Sequence, residues 1–200
     1  MKRKEYSAGA VKLSFWFVEF RKAVELLSEG RSLSQIKNLV MNENLFAAPT
    51  ALRANQIFST VTGRIQSLDL GFIPIFLHSD LATQKLFALV GALAYDTLFF
   101  DFFYEVIREK LILGSYELLD SDVRVFFKDK QQQNEKVAGW TDATLVRLGR
   151  CYKTMLYEAG IIDKAKTARK IFRPILDPEL VRWLEQHDMG VYVKALTGVE

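Results

Sequence analysis

The chain has 200 residues, of which 50% are hydrophobic and 26% are charged, so it can bury a substantial core in one domain or two small ones. This composition excludes a disordered chain, and only four prolines and eleven glycines argue against a loop-rich all-β fold. The formal net charge is a modest +3, and the single cysteine permits no internal disulfide, which is typical of a protein in the reducing cytoplasm.

Neither secretion nor a membrane span is expected. The basic start at residues 1–4 is followed by Glu5, Lys12 and Glu19, which interrupt any apolar signal segment. The longest charge-free runs of the most apolar regions, residues 70–79 and 86–95, contain ten residues each, whereas a spanning helix needs about twenty.

The first third of the chain is predicted to be helical. Apolar residues recur at intervals of three and four over residues 10–28, which predicts one amphipathic helix that Gly30 ends. Ser32 and Gln35 then have the spacing of a capping box, which predicts a short helix to about residue 40.

A third helix is predicted from Thr50, its expected cap, to about residue 68. Its inner stripe is apolar, and its other side carries uncharged polar residues. Together with the preceding short helix it forms a candidate helix-turn-helix, in which amide and hydroxyl groups would face base edges. The uncharged polar residues are Asn55, Ser59, Thr62 and Gln66. The alternative is that they form a solvated or partner-facing surface.

Residues 71–79, with Pro74, are expected to form a connector, and two long helices follow over residues 81–93 and 96–113. Large apolar side chains cover more than half of the second helix, which is therefore the expected central core helix. Its acids, Asp96, Asp101 and Glu105, are interpreted as members of ion pairs with Arg108 and Lys110 rather than as metal ligands, since no histidine is near in sequence.

Beyond Gly114 the sequence predicts a helix from residues 120–122 to about residue 132 and another from Thr141 to Ala159. Gly160 ends the latter helix, and residues 161–175 are expected to form a short hairpin with a charged tip. The predicted division of the chain is therefore into residues 1–114 and 115–200.

The basic residues are concentrated in one segment. Residues 136–173 contain nine Lys or Arg and three acids, a local balance of +6, so the rest of the chain sums to −3. On a wheel of roughly 100° per residue, Arg147, Arg150 and Thr154 lie opposite an apolar arc of the helix.

A positive helix face followed by a basic hairpin is typical of a winged helix-turn-helix that binds a phosphate backbone. A solvated surface, or one that meets an acidic protein, is the alternative. The candidate DNA-binding residues are Lys136, Thr141, Arg147, Arg150, Thr154, Lys164, Lys166, Arg169, Lys170 and Arg173.

No motif in the sequence indicates catalysis. Glycine-rich phosphate loops are absent, and two histidines with one cysteine are too few for a zinc site built from those ligands. We therefore predict no enzymatic activity, no cofactor and no metal.

Several strings, in order, resemble the BrxA family, a small component of bacteriophage exclusion (BREX) systems. They span nearly the whole chain: YSAG at 6–9, FFDFFYEV at 99–106, REKL at 108–111, DSD at 120–122, KVAGWT at 136–141 and LDPEL at 176–180. The resemblance implies a helical fold similar to that of NusB, DNA binding without catalysis, and action beside other BREX subunits. It supplies no contact residues.

We thus expect a mainly α protein, a NusB-like multi-helix bundle with a C-terminal winged helix-turn-helix-like part that carries a short β-hairpin. The predicted function is binding of double-stranded DNA with low sequence specificity in cytoplasmic phage defence. One alternative is an assembly adaptor whose basic face binds another subunit, and another is RNA binding as in NusB.

Overall fold

The computed structural model describes residues 4–199, which divide into two compact units. The inserted unit is Phe15–Tyr95, and the terminal unit combines residues 4–14 with residues 96–199. The protein is mainly helical with one small antiparallel sheet, as predicted. Neither limit of the inserted unit falls near Gly114, and the division into residues 1–114 and 115–200 stays a prediction. The first three residues of the basic start lie outside the described residues.

The inserted unit contains five helices in its described sequence, and local signals define several of their ends. Ser32 N–H donates to Gln35 Oε1 at 2.8 Å and Gln35 N–H donates to Ser32 Oγ at 3.3 Å, which confirms the capping box. Thr50 caps the third helix as predicted, and Gly30 ends the first with φ of 83°. The helices are α1 (Phe17–Ser28), α2 (Leu33–Asn42), α3 (Ala51–Gln66), α4 (Phe72–His78) and α5 (Leu81–Tyr95).

The predicted connector at residues 71–79 is wrong, because α4 occupies it. Phe72 and Phe76, one helical turn apart, pack with Phe20 and Phe87, and their ring centroids lie 5.5 to 6.2 Å apart. Pro74 is tolerated because it lies in the first turn, where its missing N–H has no intrahelical partner. Burial of these rings therefore overrides the connector signal.

The single predicted helix over residues 10–28 is also wrong. A 3₁₀-helix at Ala8–Lys12 precedes α1, and Trp16 between them has a left-handed conformation with φ of 51°. The 3₁₀-helix packs within the terminal unit, whereas α1 packs against α3 of the inserted unit. Apolar periodicity does not indicate which of the two units buries a side chain. The break between the 3₁₀-helix and α1 was therefore not predicted.

The terminal unit is built around a helical segment over residues 97–112. It comprises α6 (Thr97–Phe102), a π-helical turn (Phe103–Arg108) and α7 (Glu109–Ile112). The residues predicted to be buried on this segment are buried, except that Val106 is half-buried; the buried ones are Leu98, Phe99, Phe102, Phe103 and Ile107. The remaining elements are β1 (Glu117–Leu119), α8 (Asp120–Gln133), α9 (Glu135–Ala138), α10 (Asp142–Glu158), β2 (Ala168–Lys170), α11 (Pro178–Gln186) and α12 (Gly190–Thr197).

Helix α10 packs its predicted apolar face into the core of the terminal unit. Tyr152 is fully buried, with its ring centroid 4.7 Å from that of Phe99 and 5.5 Å from that of Phe102. Gly149 permits close packing on α8, since a Cβ there would lie 2.7 Å from Val123 Cγ1. The outward face of α10 is consequently held in a defined orientation.

The predicted hairpin is present, but its main strand partner was not predicted. Ile162 and Ile171 form an antiparallel bridge, and Asp163 N–H donates to the Lys170 carbonyl at 3.0 Å. β2 also pairs with β1, in a register that places Glu117 opposite Lys170. This pairing, remote in sequence, fixes the hairpin beside α8.

The predicted ion pairs of Asp101 and Glu105 with Arg108 and Lys110 are wrong. Both acids pair instead with Lys130 of α8, whose Nζ lies 2.6 Å from Glu105 Oε1 and 3.8 Å from Asp101 Oδ2. The Tyr6 hydroxyl also donates to Asp101, at 2.5 Å. Helical spacing predicted partners within the same helix, whereas in the fold Glu105 pairs with the buried Lys130, 25 residues away.

Among residues 4–199, no single helix is long and apolar enough to cross a membrane. Such a length is reached only when the consecutive helical segments Leu81–Tyr95 and Thr97–Ile112 are counted together.

Candidate nucleic-acid interface

An open groove of about 620 Å³ separates the C-terminal half of α10 from the turn of the hairpin. We call it the basic groove, because five of its lining residues are Lys or Arg and three are acids. It is lined by Asp120, Arg150, Lys153, Thr154, Tyr157, Glu158, Asp163, Lys164, Ala165, Lys166 and Arg169.

Half of the ten predicted binding residues come together at this groove. Arg150 and Thr154 lie on the α10 wall, and Lys164, Lys166 and Arg169 lie on the hairpin wall. The two parts of the sequence that carried the basic charge thus face a common space. A ligand in that space would contact both.

Several cations are available to a ligand. Arg150, Lys164 and Lys166 are exposed, as is Arg147 one turn before Arg150 on α10. Within residues 4–199, no carboxylate lies at ion-pair distance from these four side chains. No direct ion pair among these residues therefore neutralises their charges. Thr154 is also exposed, although its hydroxyl donates to the Arg150 carbonyl at 3.0 Å.

Arg169 has a different environment from the one predicted for a phosphate ligand. Its side chain is only 15% exposed, and its guanidinium donates to Asp120 Oδ1 at 2.9 Å and to the Lys166 carbonyl at 2.9 Å. Lys153, which the sequence reasoning missed, approaches the same Asp120 oxygen at 2.6 Å. Arg169 and Lys153 thus anchor the hairpin and α10 to the start of α8.

The turn of the hairpin is shaped by a carboxylate. Asp163 Oδ1 accepts hydrogen bonds from the N–H groups of Ala165 and Lys170, both at 3.1 Å. This local pairing leaves Lys164 and Lys166 projecting from an ordered turn. Asp163 is therefore structural, although it lies in the basic segment.

Two predicted residues before α10 lie outside the basic groove. Lys136 is exposed and pairs with Glu5 at 3.1 Å. Thr141 caps α10, its hydroxyl accepting from Thr144 N–H at 3.3 Å. The capping role explains Thr141 without a ligand.

The two predicted residues after the hairpin tip also lie outside the groove. Lys170 is exposed, with its Nζ 5.6 Å from the centroid of the Phe172 ring. Arg173 donates to the Leu111 carbonyl at 3.0 Å. Its guanidinium thus satisfies a carbonyl at the end of α7.

Tyr157 is another lining residue that was not predicted from the sequence. It is exposed on α10 and lies roughly 20° from Arg150 on the same helical wheel. That angular proximity was a usable signal. Lys153 lies on the flank of the wheel, and its role depends on Asp120, which no local pattern relates to it.

The candidate second binding helix, α3, is less accessible than predicted. Ser59 and Gln66 are exposed and Asn55 is half-buried, but Thr62 is buried. The Thr62 hydroxyl donates to the Phe58 carbonyl at 2.7 Å. Thr62 is therefore unavailable to a base edge.

The acids of the helical segment that could have suggested a metal site have other partners. Asp96 caps α6 by accepting from the Leu98 and Phe99 N–H groups, and Asp101 and Glu105 pair with Lys130. Across residues 4–199, no group of three or more His, Cys, Asp or Glu is arranged to hold a metal ion.

Hairpin anchoring at Asp120 should depend on pH. The Lys153 hydrogen bond, with the charges of Lys153 and Arg169, lowers the pKa of the Asp120 carboxyl despite partial desolvation. A lowered native pKa contributes stability above the unfolded-state pKa, and this contribution is lost as the pH falls through the native pKa. We expect Asp120→Asn to cost less than about 1 kcal/mol of unfolding free energy at neutral pH, because the Asp120 side chain is half-exposed and water screens its charge.

Urea unfolding at a series of pH values measures this effect. The difference between Asp120→Asn and the unchanged protein should vanish in acid, where Asp120 is protonated in both states. Glu185→Gln, at an exposed acid on α11, is the matched control. A difference that persists in acid would contradict a role for the Asp120 charge.

Comparisons with known proteins agree over almost the whole length. The family model described as BrxA matches residues 4–188. A relative from Bacillus cereus (strain H3081.97), named BREX protein BrxA, is 34% identical over 198 residues, which cover 99% of each chain. A crystal structure of an uncharacterized protein from Magnetospirillum magneticum superposes with a TM-score of 0.80 at 18% identity, covering 98% of this chain and 100% of that one. This last likeness concerns the fold alone.

Proposed function

The chain belongs to the BrxA family of BREX phage defence, and we propose that it serves there as a non-enzymatic protein that binds duplex DNA through the basic groove. The observation that carries this proposal is the convergence of α10 and the hairpin on one groove, with cations on both walls that have no ion-pair partner within the part of the chain that the structure describes.

The order of elements supports the proposal. From β1 the chain passes through α8, α9 and α10 to the hairpin that contains β2. This is the order of a winged helix-turn-helix, in which α10 would be the recognition helix and residues 164–168 the wing. In proteins of the helix-turn-helix class, the recognition helix enters the major groove.

The charge distribution indicates recognition of the DNA backbone rather than of a base sequence. Arg150 on one wall and Lys164 and Lys166 on the other present cations that have no carboxylate at ion-pair distance among residues 4–199, although three acids also line the groove. Such side chains neutralise phosphates and release counterions, which gives sequence-tolerant and salt-dependent affinity. Low sequence specificity follows.

The environment of the histidines favours a role without catalysis. His78 Nδ1 lies 2.8 Å from the Pro74 carbonyl, and His187 Nδ1 lies 2.8 Å from the Trp183 carbonyl. Each of these distances joins atoms of one helical turn, and neither histidine lines the basic groove. We place the protein in the cytoplasm, where its free Cys151 fits a reducing compartment.

Fluorescence anisotropy with labelled nucleic acids tests the proposal. We expect the affinity for a duplex DNA of about 20 base pairs to fall linearly, as log affinity against log salt, with a slope of about −0.9 for each phosphate neutralised. Duplex RNA and single strands of the same sequence should bind more weakly.

Two results would contradict this proposal. A preference for single-stranded RNA would favour RNA binding. Failure to bind any nucleic acid at low salt, with a stable complex formed through the basic groove by another purified BREX subunit, would favour the adaptor function.

A further inference from the structure

A second groove in the terminal unit has the opposite chemistry. It has a volume of about 320 Å³ and lies between the end of the helical segment over residues 97–112 and α8. We call it the acidic groove. It is lined by Glu105, Val106, Glu109, Lys110, Leu113, Asp122, Val125, Phe126 and Asp129.

Large apolar side chains at this groove are left uncovered. Leu113 is 77% exposed and Val125 is 58% exposed, and Val106 beside them is half-buried. Exposed apolar side chains that share a groove with polar residues at its edge are typical of a protein interaction surface.

The charges at the groove are predominantly negative. Four lining residues are acids, and the single lining cation, Lys110, is paired with Asp122 at 2.8 Å. Glu109 pairs with Arg108 at 3.0 Å and Glu105 pairs with Lys130 at 2.6 Å, but both acids are about half-exposed whereas their cations are largely buried. Asp129 is exposed and has no ion-pair partner among the described residues. The charged side chains that face outward here are therefore mainly acidic, in contrast to those of the basic groove.

We propose that the acidic groove docks a basic amphipathic helix of a partner protein. Apolar residues on one face of that helix would cover Leu113 and Val125, and flanking Arg or Lys residues would pair with Glu109 and Asp129. The acidic side chains favour a positively charged partner, and the exposed apolar side chains favour an amphipathic helix over a polyamine. The protein would thus bind DNA and a protein partner through two grooves of opposite charge.

The probe for this proposal is a fluorescein-labelled helical peptide of about 15 residues, with leucines on one face and arginines along the flanks. A matched peptide replaces the arginines with glutamates. We expect the full-length protein to bind the basic peptide at least about tenfold more tightly than the acidic one.

Two single substitutions test the location of the peptide. Asp129→Lys and Leu113→Ser should each weaken binding of the basic peptide by about tenfold, since one removes a charge partner and the other removes apolar contact. Asp129→Lys should also strengthen binding of the acidic peptide. Both positions are exposed, and circular dichroism checks that each variant folds. Glu185→Lys, which reverses an exposed acid outside the groove, is the matched control and should bind like the unchanged protein.

The proposal is overturned if the basic peptide does not bind, or if Glu185→Lys weakens binding as much as Asp129→Lys. Sedimentation velocity provides a further check. Self-association that Asp129→Lys abolishes would assign the groove to a second copy of this chain and would also overturn the proposal. None of these outcomes depends on DNA binding by the basic groove.

Discussion

Replacing Arg147, Arg150, Lys164 and Lys166 together with glutamine should nearly abolish duplex DNA binding at moderate salt. These four cations are exposed and have no carboxylate at ion-pair distance among the described residues, so the substitutions remove charge without breaking internal ion pairs. Each lost phosphate contact should reduce the slope of log affinity against log salt by about 0.9. Loss of only two contacts would weaken binding by about a hundredfold at 0.1 M salt, and loss of four by much more.

The control variant removes four other exposed cations. Arg31, Lys37, Arg124 and Lys128 lie outside the basic groove, and their replacement with glutamine changes the net charge by the same amount. If the slope falls as much in the control variant as in the variant of Arg150, Lys164, Lys166 and the neighbouring Arg147, net charge rather than this site governs binding, and the site assignment is wrong. Arg169 is kept in both variants, because its loss would release the hairpin from Asp120.

Lys130→Ala should be among the most destabilising single changes in the protein. The Lys130 side chain is 5% exposed, and it neutralises Asp101, which is 4% exposed. Removing one member of a buried ion pair typically costs about 3–5 kcal/mol of unfolding free energy, because the remaining buried charge loses its counter-ion. Urea denaturation followed by circular dichroism measures this loss.

Two comparisons make the Lys130 result specific. Lys128→Ala, at an exposed position on the same helix, should change the free energy of unfolding by less than about 0.5 kcal/mol. Replacing the charges together, as Lys130→Met with Asp101→Asn and Glu105→Gln, should recover most of the lost stability. A loss below about 1 kcal/mol in Lys130→Ala would show that the buried pair is not important for the fold.

Local chemistry made much of the fold predictable. The Ser32 and Gln35 capping box, the Thr50 and Thr141 caps, and the terminating Gly160 each act through atoms a few residues away. Their effects are therefore readable from short stretches of sequence.

The missed features all involve partners remote along the chain. α4 forms where a connector was predicted because Phe72 and Phe76 pack with Phe20 and Phe87. The strand β1 exists because β2, some fifty residues later, pairs with it.

In the candidate site too, features set by nearby residues were predicted and those set by remote residues were not. The predicted outward orientation of Arg147, Arg150 and Thr154 is confirmed, since a helix with one buried face determines the direction of the other. The accessibility of Arg169 was predicted incorrectly. Unlike Lys164 and Lys166, Arg169 is held by hydrogen bonds to the Lys166 carbonyl and to Asp120, which lies 49 residues away.

By itself, the sequence determined the helical class, most helix ends, the concentration of basic charge over residues 136–173 and, through its ordered strings, membership of the BrxA family. Composition, periodicity and capping depend on residues close together in the chain, so they can be recognised without knowledge of the fold. The tertiary structure decided which cations are free, which are anchored by carboxylates, and how α10 and the hairpin form a common groove. It also produced the acidic groove. Each of these depends on side chains brought together by packing across tens of residues, which one-dimensional patterns do not encode.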